Sequence, residues 1–103
     1  MQEILEGTSG FHWDQANIEK NWERHSISFF EAEEVFFHDP VIIPDAQHSQ
    51  REIRYVALGK TRHEKLLTII FTIRRKIIRI ISARPMSRKE RIFYAHYKEN
   101  PSF

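Results

Sequence analysis

The chain has 103 residues, 41% of them hydrophobic and 13% aromatic, with no cysteine and a formal net charge of +2. That length supports one modest core and not two, and the composition is that of a folded globular chain rather than a disordered one. No apolar run approaches the roughly 18 residues of a membrane span, no basic-then-apolar leader opens the chain, and the missing cysteines exclude disulfides, thiolate chemistry and cysteine-ligated zinc. A cytoplasmic protein with no membrane association is therefore expected.

The charge is unevenly spread. Residues 1–50 carry two basic and ten acidic side chains, whereas residues 51–91 carry thirteen basic and three acidic ones. The basic half is interleaved with strand formers, which suits a surface that meets phosphate. The competing reading is that the two halves neutralise each other within one fold.

Taken in order, residues 1–10 lack periodicity and end in Gly7-Thr8-Ser9-Gly10, the composition of a flexible leader. Phe11-His12-Trp13 is a short strand candidate. Asp14 can N-cap a helix running to about Arg24, in which Ile18, Trp22 and His25 form an apolar stripe and Asn17, Asn21 and Arg24 another face. On that stripe His25 reads as a structural histidine. Ser28 and Glu31 make a capping box for a second helix over 29–37, with Phe29, Ala32 and Phe36 pointing one way, and Asp39-Pro40 ends it. Val41–Pro44 is extended, its proline confining it to an edge, and 45–50 is a polar loop.

Three strands follow, over 51–58, 65–73 and 76–83, joined tightly enough to be antiparallel. In the middle one Leu67, Ile69, Phe71 and Ile73 make an apolar core face, leaving Thr68, Ile70 and Thr72 on a face shared with Arg54 and Arg79. The last reads KIIRIISAR from Lys76 to Arg84. Alternation puts Ile78, Ile80 and Ser82 on one side and Ile77, Arg79, Ile81 and Ala83 on the other. An arginine in mid-strand needs an anionic partner or faces something anionic. Arg84 has the opposite parity to Arg79 and joins it only if a twist or bulge precedes Pro85. Ser87 and Glu90 form a second capping box, opening a helix to about Tyr97. The whole is α+β: two N-terminal helices, an antiparallel sheet of three to four strands and a C-terminal helix. A single domain over 11–97 lies between the leader and a tail at 98–103.

The order of these motifs resembles the BrnT family of toxins. Phe11-x-Trp13-Asp14, Asn21, His25, Ser28-Phe29-x-Glu31-Ala32, Val35-Phe36 and Asp39-Pro40 carry the first half of the resemblance. His48-Ser49, Glu52-x-Arg54, Gly59, Arg79-Ile80-Ile81-Ser82-Ala83-Arg84 and Glu90-Arg91-x-x-Tyr94 carry the second. Each motif is weak alone; their order and spacing are specific. The resemblance implies a RelE-like fold, a ribonuclease toxin, and neutralisation by a BrnA antitoxin with a ribbon-helix-helix domain, through which alone operator DNA would be met. Two positions depart from the family pattern: Asn17 stands where lysine is usual, and Ser26 where glycine follows the histidine.

Cleavage of RNA by its own 2′-OH needs a proton acceptor, cations on the phosphorane and a proton for the leaving 5′ oxygen. Arg54, Arg79 and Arg84 are the phosphate-binding candidates, since guanidinium forks match phosphate and stay charged. Glu52 is a candidate base or an arginine's ion-pair partner. Tyr94, one turn beyond the capping Glu90, points either to the site or to the core. His63, Lys65, Arg74, Arg75 and Lys76 are candidates for binding RNA. The histidines at 12, 25, 38, 48, 63 and 96 show no ligand spacing such as H-x-x-x-H, so neither metal nor other cofactor is expected. Two rivals stand beside the ribonuclease: a catalytically impaired relative that only binds its antitoxin, and a plain RNA-binding module.

Overall fold

The computed structural model describes residues 3–47 and 51–99. His48 and Ser49 of the family resemblance, and the chain beyond Glu99, lie outside the described residues. In order the elements are β1 (Gly10–Trp13), α1 (Gln15–His25), α2 (Phe29–Val35), β2 (Val41–Pro44), β3 (Tyr55–Lys60), β4 (Leu66–Arg74), β5 (Ile77–Pro85) and α3 (Arg88–Glu99), preceded by a 3-10 turn at Glu3–Leu5.

The helix starts follow from local chemistry. Asp14 Oδ1 accepts the Ala16 N–H at 2.8 Å, and Ser28 with Glu31 closes a reciprocal capping box at 3.1 and 3.2 Å. Ser87 and Glu90 do the same for α3 at 2.8 and 3.2 Å. Each device satisfies backbone N–H groups that a helix start leaves unpaired, worth about 1 kcal/mol. Ser26 ends α1 in the left-handed region at φ 54°, the conformation for which glycine is the usual residue.

The strands form one five-stranded sheet in the order β1-β5-β4-β3-β2. All neighbours are antiparallel except β1, which runs parallel to β5 with Gly10 opposite Ile77 and His12 opposite Arg79. The expected antiparallel sheet of three to four strands is thus extended by a fifth, because Phe11-His12-Trp13 pairs with a strand more than sixty residues away. β2 is the other edge, with Pro44 at its end, as its proline requires. Part of the stretch read as a leader makes contacts. Leu5 packs against the core and the Ser9 N–H donates to the Lys76 carbonyl at 2.8 Å, so residues 3–10 are part of the fold. At the other end α3 continues to Glu99, past the expected stop near Tyr97.

The core lies between α2 and the Leu67, Ile69 and Phe71 face of β4, joined by Ile27, Ala57, Ile78, Ile80 and Ala83. Phe71 is its centre, fully buried, edge-on to Phe36 with centroids 5.0 Å apart and stacked on Tyr55 at 5.4 Å. Gly59 is needed where α2 crosses β3, since a Cβ there would lie 2.8 Å from Val35 Cγ1. A second cluster, Val41, Leu58, Met86 and Tyr94, holds α3 against part of the opposite sheet face.

The expected stripe of α1 is turned around. Trp22 is 57% exposed and His25 is exposed, while Asn21 is buried. β1 ends at Trp13 opposite Ile80, and Asn21 Oδ1 accepts the Ala83 N–H at 3.2 Å just past that end. A polar side chain is buried there because a backbone donor would otherwise be orphaned.

The central hairpin has two irregularities. β5 carries one extra residue: Phe71 faces Ile80 but Ile70 faces Ser82, so Ile81 is bulged out. The simple alternation read from KIIRIISAR therefore fails after Ile80, putting Ala83 in the core and turning Ser82 and Arg84 to the face of Arg79. The turn itself is Arg75-Lys76, with φ of 53° and 67°. Two left-handed residues match the twist of the flanking strands, but Asn-Gly is the usual occupant, not two long cations.

Candidate functional site

The sheet face opposite α2 is covered by α3 only at one end. Register defines its rows. Arg79 lies opposite Thr72; Val56, Ile70 and Ser82 form the next row; Leu58, Thr68 and Arg84 form the row under α3. The Arg79 and Arg84 rows are four residues apart along β4, about 14 Å at the antiparallel rise. One strand bulge has brought both arginines to one face without making them neighbours.

Arg84 is engaged. Its Nη1 and Nη2 donate to the two Glu90 carboxylate oxygens at 2.7 and 2.9 Å. Glu90 Oε1 also accepts from Thr68 Oγ1 at 2.9 Å and from the Ser87 N–H at 2.8 Å. The Arg84 fork is the main reason that the Glu90 carboxyl is lowered to about 2; partial burial opposes this, and the Ser87 and Thr68 bonds add to it. Glu90 in return raises Arg84 further. Arg54, Ser82, Arg84 and Glu90 line a cleft of about 440 Å³ floored by Val56 and Ile70.

A second cleft, about 430 Å³, is lined by His12, Arg74, Arg75, Ile77 and Arg79. Among the described residues the side chains of Arg75 and Arg79 have no hydrogen-bond or ion-pair partner. Arg74 is tied to Glu52, its Nη2 and Nε donating to the two carboxylate oxygens at 2.7 and 3.4 Å. His12 lies beside Arg79 across the parallel pair and was not among the sequence candidates. Its one local signal is a polar side chain between Phe11 and Trp13.

The other candidates are dispersed. Glu52 is the partner of Arg74, the second of its two sequence readings. Tyr94 is 5% exposed within the α3 cluster, on the core side of its two alternatives and away from both clefts. Lys65 pairs with Glu31 at 2.7 Å, and its hydrogen bond is the chief cause of the lowered Glu31 carboxyl. His63 is exposed beside it. These two sit at the far end of β4 from Arg74, Arg75 and Lys76, about 27 Å away along the strand. Asn17 is half-buried on α1, one turn before Asn21. Among the described residues no three His, Asp or Glu side chains gather as a metal site requires, and no helix is long and apolar enough to cross a membrane.

Mutual neutralisation of the two halves is partial. Among the described residues Lys65–Glu31 crosses from one half to the other and Lys98, beyond the basic half, pairs with Asp39, while Arg74–Glu52, Arg84–Glu90 and Lys60–Glu64 stay within the basic half. What remains is a small α+β domain in which, among the described residues, Arg79 on the sheet face and Arg75 in the β4–β5 turn have no side-chain partner; guanidinium forks of this kind match phosphate geometry.

Comparison with known families makes this specific. The family model described as "Ribonuclease toxin, BrnT, of type II toxin-antitoxin system" matches residues 13–90, and the chain belongs to that family. Membership implies an antitoxin partner. The fold is similar to the crystal structure of the Brucella abortus ribonuclease toxin BrnT, with a TM-score of 0.60 at 20% sequence identity, covering 79% of this chain and 100% of that one. Comparison with curated proteins gave no match.

Proposed function

We propose that this chain is an endoribonuclease toxin of the cytoplasm that cleaves RNA by attack of the substrate's 2′-OH on the adjacent phosphate. No metal or other cofactor takes part, and a BrnA-like ribbon-helix-helix antitoxin silences it. The observation that carries this reading is Arg79: a guanidinium in mid-strand, in a cleft with two further arginines, with no partner among the described residues. Such an arrangement suits charge developing on a phosphorane, because donors fixed in advance need no reorganisation when the charge appears. Arg54 lies on the same face, in the neighbouring cleft that Asp45 and Glu90 also line; Arg84 serves chiefly to anchor α3 through Glu90.

The test is incubation of the purified protein with RNA in excess chelator. Products ending in 2′,3′-cyclic phosphate and 5′-OH are expected; cleavage abolished by EDTA and restored by magnesium, with folding intact, would contradict the reading. Anionic antitoxin segments are expected to cover the basic face, since one surface cannot serve both ligands at once. RNA binding that persists unchanged in the saturated complex would refute this masking. A second reading, an impaired relative that binds its antitoxin and reaches operator DNA only through it, is favoured by Asn17 and by the engagement of Arg84 and Tyr94 elsewhere. Antitoxin binding by a chain with no RNA cleavage would decide for it.

A further inference from the structure

We infer that the cleft between β1 and the β4–β5 turn is the reaction centre, with His12 as the group that takes the proton from the attacking 2′-OH. This rests on the reading of the Arg79 face as the RNA site and names the chemistry that the face performs.

The placement of His12 follows from its neighbours. β1 alternates, so Phe11 and Trp13 must point to the side away from His12. Both are accounted for on the α2 side: Phe11 meets the Phe36 ring edge-on at 5.4 Å, and Trp13 Nε1 donates to Glu33 Oε2 at 2.7 Å. With β1 pinned through these two, His12 is directed to the opposite face, where the parallel register sets it against Arg79. The imidazole is exposed there and has no hydrogen-bond partner among the described residues.

The chemistry of the lining then assigns the roles. Arginine stays protonated throughout the working pH range and can only donate; Ile77 can do neither. Among the described lining side chains, His12 alone carries a ring nitrogen that can accept a proton. Among the described residues, the charged side chains that line the cleft with it are Arg79 from β5, Arg74 at the end of β4, and Arg75 from the turn. Asp14 caps α1, Glu33 accepts from the Trp13 indole and Glu52 pairs with Arg74. Guanidinium neighbours hold the scissile phosphate beside the imidazole.

The step balances without a co-reactant. The His12 ring nitrogen takes the 2′-OH proton as the O2′–P bond forms; the P–O5′ bond breaks, and O5′ takes a proton from solvent water. His12 then returns its proton to solvent, leaving a 2′,3′-cyclic phosphate and a 5′-OH. Arg79 and Arg75 stabilise the phosphorane oxygens. The strained Arg75-Lys76 turn is consistent with such a role, since backbone strain collects at functional sites.

The experiment compares single-turnover RNA cleavage against pH for the intact chain, His12→Gln, Glu52→Gln and Arg79→Ala, with binding to the same RNA carrying 2′-deoxyribose at the cleavage site. His12→Gln should lower the rate by about 10²–10⁴-fold, remove the acid limb of the pH profile, and leave binding and thermal unfolding unchanged. Added imidazole should restore cleavage to His12→Ala. A His12→Gln rate within about threefold of the parent's, or an acid limb that survives in His12→Gln and disappears in Glu52→Gln, overturns the assignment. Arg79→Ala separates the two levels. If it binds and cleaves as the parent does, the Arg79 face is not the RNA site, and the proposal falls with that reading; if it loses both while His12→Gln stays active, only the role of His12 fails.

Discussion

Replacing Arg75-Lys76 by Asn-Gly should make the protein more stable and less able to hold RNA. Both residues are left-handed, at φ 53° and 67°. A residue with a Cβ loses roughly 1–2 kcal/mol in that region. Glycine at 76 removes this strain but gives back about 0.5–1 kcal/mol in chain entropy, and asparagine at 75 tolerates the conformation better than arginine. The net gain is about 1 kcal/mol, which for a domain of this size raises Tm by about 4–8 °C. The same change removes one cation that lines the His12–Arg79 cleft and one beside it. Each lost phosphate contact should reduce the slope of log K against log salt by about 0.7 for single-stranded RNA. Thermal unfolding and RNA binding across a salt series, on one preparation, measure both. A double variant that is no more stable would refute the strain argument; one that is more stable with an unchanged salt slope would show that the strained turn serves no RNA contact.

Ser26→Gly acts on the same principle at the end of α1, where φ is 54°, and should raise stability by about 0.5–1 kcal/mol in thermal unfolding. Gly59→Ala should lower stability by about 1–3 kcal/mol, because the new Cβ would lie 2.8 Å from Val35 Cγ1. Glu90 is held at about 2, below its ordinary value of 4.5, so its stabilisation is complete above the ordinary value and is lost as pH falls towards 2. Solvent screening of the part-exposed pair reduces that contribution to about 1–2 kcal/mol. Urea unfolding from pH 6 to pH 2 should therefore show a shallower acid loss in Glu90→Gln than in the parent.

Whatever depended on local chemistry was legible in the sequence. Asp14, Ser28-Glu31 and Ser87-Glu90 cap the helices they were read to cap, because a cap needs only residues within one turn. Leu67, Ile69 and Phe71 face the core because a nine-residue strand alternates whatever its partners are. Pro44 lies at the end of an edge strand because it lacks a donor. The misreadings share a different cause. The parallel pairing of β1, the burial of Asn21 against Ala83 and the bulge at Ile81 each depend on a partner far along the chain. For the same reason the proposed site is only half visible in the sequence. Arg79 announces itself as a charge among isoleucines, whereas His12 becomes its neighbour only through the parallel register. Composition groups Lys65 and His63 with Arg74, Arg75 and Lys76, because it does not record that the length of β4 separates them.

The central claim is that Arg79 acts on RNA rather than on the fold, and one paired measurement addresses it most directly. Thermal unfolding and single-turnover cleavage are followed on the same preparations of Arg79→Lys and Arg79→Ala. Lysine keeps the charge but not the two-pronged fork, so the rate per folded molecule should fall by about 10²–10³, or roughly 2.7–4 kcal/mol, in both variants. Tm should change little, because the Arg79 side chain has no partner among the described residues to lose. Full turnover per folded molecule in both variants, with a lowered Tm in Arg79→Ala, would mark Arg79 as a structural residue and contradict the account.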